Sequence, residues 1–89
     1  MSSREIAELC EKQTKHVHRD ILAMLDSLYP DGPNLDHEGI SITYDHRGYI
    51  VGFYLDYSHT VTLITGYRAD LRKRVINRWM ELDPLDEDE

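Results

Sequence analysis

The chain has 89 residues, so it is at most one domain with a modest core. With 40% hydrophobic and 30% charged residues it reads as an ordinary globular chain and not a disordered one. Its net charge of −7 weighs against an extended nucleic-acid binder, its single cysteine excludes an internal disulfide, and no apolar run reaches membrane-spanning length.

The charge is unevenly spread. Five of the 17 acids fall in residues 83–89, which leaves 12 acids against 10 bases in residues 1–82. The body is therefore nearly neutral, with basic groups at Lys12, Lys15 and Arg19 and again at Arg68, Arg72, Lys73, Arg74 and Arg78. Residues 1–82 are expected to form the domain and 83–89 an acidic disordered tail, too polar to bury.

Residues 2–28 predict two helices joined by a tight turn. Ser2 can cap the first, with Glu5 three residues on completing a capping box. Ile6, Leu9 and Cys10 share one side at helical spacing, and Ala7 is small enough to let a second helix approach. The turn is Glu11-Lys12-Gln13, where glycine is often found. Thr14 is the expected N-cap of the second helix. Val17, Ile21, Met24, Leu25 and Leu28 then form an apolar stripe. The opposite face carries Lys15, Arg19, Leu22 and Asp26. Two helices with a basic start to the second make a helix-turn-helix candidate, and a plain αα-hairpin is the alternative.

Two prolines and a glycine in residues 29–34 stop the helix and open a loop that runs to Gly39. Ile40, Ile42 and Tyr44 alternate with Ser41, Thr43 and Asp45, as in a half-buried strand. His46-Arg47-Gly48 is a turn, and residues 49–55 are the return strand. A hairpin placed here would be a wing, with Arg47 at its tip; a structural hairpin is the other reading. Ser58 is the expected cap of a third helix at 59–65, ended by Gly66. Residues 68–82 predict a fourth helix, with Leu71, Val75, Trp79 and Leu82 on one side and Pro84 blocking its continuation. Val17, Ile21, Leu25, Leu71, Val75 and Trp79 are expected to meet in one core. The fold class is thus α+β: a small winged helix-turn-helix-like domain of four helices, with one β-hairpin between helices 2 and 3.

No pattern for catalysis emerges, so the chain is not expected to be an enzyme or to use a cofactor. His16 and His18 point about 200° apart on a helix and cannot share an ion. His37, His46 and His59 lack ligand spacing, so no metal site is expected. Cys10 on an apolar helix face reads as a small core residue.

Two stretches carry a resemblance. SSREIAELCEKQTKHVHRDI at 2–21 resembles the opening of the phage regulatory proteins called Rha and of related phage antirepressors. LITGYRADLRKRVINRWMELD at 63–83 is similar to the group's second hallmark, a Gly-Tyr followed by a basic helix ending in Arg-Trp-x-Glu-Leu. The resemblance implies a phage- or prophage-encoded regulator in the bacterial cytoplasm, with a DNA-binding-like domain.

Two functions follow for the same surface. If the chain binds DNA, Thr14, Lys15, His18 and Arg19 would face the major groove. Arg47 would then reach the backbone or minor groove, and Arg72, Lys73 and Arg74 would hold phosphates. If it is an antirepressor, its acidic balance would match a repressor's basic face, with Leu22 as a contact anchor. A dimerisation module, with the same surface joining two copies as a homodimer, is a third reading. No membrane partner is expected.

Overall fold

The computed structural model describes residues 1–30 and 37–82. Among them the order is α1 (Ser3–Cys10), α2 (Thr14–Leu28), β1 (Ile40–Tyr44), β2 (Ile50–Leu55), α3 (Tyr57–Ile64) and α4 (Ala69–Leu82). The fold is α+β, with one antiparallel hairpin between α2 and α3 in a winged helix-turn-helix-like arrangement. The expected tail, 83–89, and the loop residues 31–36 lie outside the described residues.

The eight-residue helix α1 organises the rest. α1 packs on α2, on α4 and on β2. Its Ile6, Ala7 and Cys10 are buried, and the alanine permits close approach. Ser2 caps it by accepting a hydrogen bond from the Glu5 N–H. Only half of the expected capping box forms, because the Glu5 carboxylate accepts instead from Arg78 of α4 at 2.8 Å. Glu11 ends the helix with φ 55°, and the Lys12 N–H donates back to the Ala7 carbonyl at 2.9 Å. This is a left-handed cap made without glycine.

α2 starts one residue earlier than expected. Gln13 is the N-cap, without a side-chain hydrogen bond, and Thr14 is already helical. Val17, Ile21 and Leu25 are all fully buried. Below them, Tyr67 and Lys12 both donate to the same Asp20 oxygen, at 3.0 and 2.9 Å, and the Lys12 ammonium lies 4.1 Å over the Tyr67 ring. That knot ties the α1–α2 turn to the segment before α4.

The hairpin buries Ile40, Phe53 and Leu55 against the helices. Its register shifts between Thr43 and Tyr44. The expected alternation fails there: Tyr44 is 54% exposed, because a bulge resets which face each residue takes. The chain start adds a rung that alternation could not reveal. The Leu55 N–H donates to the Met1 carbonyl at 2.9 Å, and Ser2 bridges Tyr54.

α3 begins at Tyr57 and not at His59, because Asp56, not Ser58, caps it by accepting from the His59 N–H. Its threonines suit a helix by returning hydroxyls to earlier carbonyls: Thr60 to Asp56 at 2.7 Å and Thr62 to Ser58 at 2.8 Å. In α4, Val75 is buried, while Leu71 and Trp79 are partly buried against the core. Trp79 meets Tyr57 edge to face, with ring centres 5.2 Å apart.

Candidate nucleic-acid or partner interface

The proposed interface residues divide into those left open and those bonded within the chain. Lys15 and Arg19 lie one turn apart on the exposed side of α2, away from the stripe at Val17, Ile21 and Leu25. Lys15 makes no hydrogen bond or ion pair among the described residues. The Arg19 side chain is 71% exposed, and its one ion pair among the described residues, to Asp20, is 4.0 Å long. Leu22, one turn further, is 40% exposed. Thr14 is half-buried at the head of the same helix.

His18 turns inward from this group. Its Nε2 is 2.9 Å from the Ser3 hydroxyl, and its ring meets Phe53 edge to face. Ser3 Oγ also accepts from the Phe53 N–H at 3.1 Å. The hydroxyl can both donate and accept, so the direction of the Ser3–His18 bond follows the imidazole tautomer. Burial holds the His18 pKa below its ordinary value. Its role is to join α1, α2 and β2.

The remaining arginines are also occupied. Arg47 does stand at the hairpin turn, where Gly48 takes φ +89°, but it folds back on Asp45 at 2.9 Å and over the Tyr49 ring. Its hydrogen bond holds the Asp45 carboxyl below the usual range. Arg72 donates to the Thr65 and Tyr67 carbonyls, at 3.4 and 3.5 Å. Arg74 donates to the Leu9 carbonyl at 3.1 Å and to Glu11 at 3.3 Å, so it fastens α4 to the end of α1. Lys73, between them, is exposed and makes no hydrogen bond or ion pair among the described residues.

Sequence reasoning passed over Arg4. It is exposed on the first turn of α1, makes no bond or ion pair among the described residues, and borders a cleft of about 510 Å³. That cleft runs between the starts of α1 and α2 and the hairpin, from Ser2 and Thr14 to Thr43, Gly52 and Tyr54. Its signal in the sequence was slight: a lone arginine beside a capping serine. A second cleft of similar volume lies over the Lys12–Asp20–Tyr67 knot. Its charged groups, Lys12 and Asp20, are already joined to each other and to Tyr67. Burial, then the hydrogen bond to Asp20, push the Tyr67 phenol well above its ordinary pKa, so it stays a donor.

One further polar chain lies across the molecule. His59 Nδ1 is 2.8 Å from Asp56, and its Nε2 is 2.9 Å from the Tyr29 hydroxyl. Asp56 can only accept, so Nδ1 donates to it, while Nε2 and the Tyr29 hydroxyl share the second bond. The chain pins the end of α2 to the start of α3. No group of three or more His, Cys, Asp and Glu among the described residues is placed to hold a metal ion. Among them no helix is long and apolar enough to cross a membrane.

No family model matches the chain, and neither the curated proteins nor the solved structures contain a match.

Proposed function

We propose that the chain is a phage- or prophage-encoded regulator of gene expression that acts in the bacterial cytoplasm by binding DNA through the exposed face of α2. The observation that carries this reading is the division of the basic residues. Arg47, Arg72, Arg74 and Arg78 are bonded within the chain, whereas Lys15 and Arg19 are open on one face near the start of α2. The start of a second helix is where helix-turn-helix proteins meet base edges. Open cations beside it are placed to neutralise phosphates. The resemblance of residues 2–21 and 63–83 to the Rha group supports a regulatory role. Lys73 remains a candidate phosphate contact on α4, and Arg47 becomes one only by leaving Asp45.

A second reading rests on Leu22. It is exposed beside Lys15 and Arg19, and the chain carries a net −7. An acidic protein with an apolar anchor suits a repressor's basic surface, which would make the chain an antirepressor.

Gel shift on DNA flanking the gene, paired with pull-down of the cognate repressor, separates the two. Lys15→Glu with Arg19→Glu should abolish specific DNA binding, since a base-reading contact contributes about 1–3 kcal/mol and reversal adds phosphate repulsion. Leu22→Ala, which adds no charge to the DNA-facing surface, should leave DNA binding and disrupt only a repressor complex. A stable repressor complex in a wild-type chain that binds no DNA would replace the first reading with the second.

A further inference from the structure

We infer that the cleft between the start of α1 and the hairpin carries the sugar–phosphate backbone of one strand of a DNA duplex, with Arg4 as its phosphate contact. The inference rests on the DNA reading of α2 and extends that surface around to the wing.

Three independent observations point there. The first is charge. In a chain of net −7, the residues lining the cleft include one arginine and no carboxylate. Arg4 is exposed with no partner among the described residues, unlike the arginines of α4 and the hairpin turn that the chain itself engages. Guanidinium forks suit phosphate oxygens. The second is donor chemistry. Ser2, Thr14, Thr43 and Tyr54 bring hydroxyls to the same cleft, and hydroxyls are common phosphate partners that carry no base preference. The third is space. Gly52 sits in the middle of β2, where glycine weakens a strand. A Cβ added there would meet nothing within 4 Å. Core packing therefore does not require glycine at 52, and its missing side chain leaves the cleft room for close approach of a ligand backbone. Thr14, which lines the cleft, immediately precedes Lys15, so the cleft begins at the head of the helix that carries the open face.

The test uses the whole chain, a mixed-sequence DNA duplex, and binding measured across a salt series. Arg4→Gln should flatten the slope of log affinity against log salt by about 0.9, the value of one phosphate contact. Gly52→Val should weaken binding roughly tenfold by closing the cleft to a charge-assisted contact. Its melting temperature should hold or rise, because valine favours a strand. That melting curve separates blockage from misfolding. If both variants bind like wild type while Lys15→Glu with Arg19→Glu loses binding, the cleft assignment is wrong and the α2 reading stands. If wild type binds no duplex at low salt, both fall. Capture of a poly-glutamate peptide that depends on Arg4 and Gly52, without duplex binding, would assign the cleft to a protein and overturn the proposal.

Discussion

Glu11 holds a backbone conformation, and His18 a proton affinity, that a solvated residue would not have. His18 is neutral in the fold and pKa-lowered by burial. As pH falls, the unfolded chain takes up this proton first, so the stability it contributes is complete above about 6.5 and is lost as pH drops through the lower folded value. Thermal unfolding followed from neutral to mildly acidic pH should show a larger loss for wild type than for His18→Gln; equal losses would remove His18 as the cause. Glu11 sits at φ 55°, a region that costs a residue with a Cβ about 1–2 kcal/mol. Glycine would remove that cost but loses about 0.5–1 kcal/mol of backbone freedom. The exposed Arg74 pair that Glu11 gives up contributes little. Glu11→Gly should therefore stabilise by up to about 1 kcal/mol in denaturant unfolding, and a lower midpoint would show that the pair to Arg74 outweighs the strain. The sequence marked this turn correctly by its missing apolar anchor. It could not reveal the inward turn of His18, because the partner, Ser3, is 15 residues away in another helix.

At the scale of elements, the apolar stripes were the most legible feature. Val17, Ile21 and Leu25 recur at a spacing that admits one helix face, and all three are buried. The arginines of α4 were not legible. Counting bases along a helix cannot tell Arg74, which fastens α4 to the end of α1, from Lys73, which points outward. That distinction exists only once α1 has docked. Trp79 belongs to the core's edge, not its centre, and part of its contact is with Tyr57. Ile21→Ala should cost about 2–5 kcal/mol, whereas Trp79→Ala should fall short of the ~3–5 kcal/mol expected for a fully buried aromatic. Chemical denaturation of the two variants gives the comparison, and a Trp79 cost at the top of that range would place it in the centre. Gly39 is a sharper joint. It has φ +89°, and an added Cβ would stand 2.2 Å from an Asp56 oxygen. Gly39→Ala should displace the Asp56 cap of α3 and lower the melting temperature, whereas an unchanged melting curve would show that the joint yields freely.

For the whole molecule, the α+β order and the place of the hairpin followed from turn residues and periodicity, which are local signals. The rung from Met1 and Ser2 to β2 and the cleft beside Arg4 did not, since both arise from the meeting of the chain's start with its middle. Net charge misleads in the same way. A chain of −7 can present an open basic face when most of its other cations are bonded internally, and the sum over residues hides the difference. The central claim is that Lys15, Arg19 and Arg4 form one DNA-facing surface whose cations neutralise phosphate charge. The direct measurement is wild-type affinity for duplex DNA by fluorescence anisotropy between about 50 and 200 mM salt. Three phosphate contacts predict a log–log slope of about −2.7, a loss of roughly forty-fold across that range. Binding that is absent at the low end, or that does not change with salt, would contradict it.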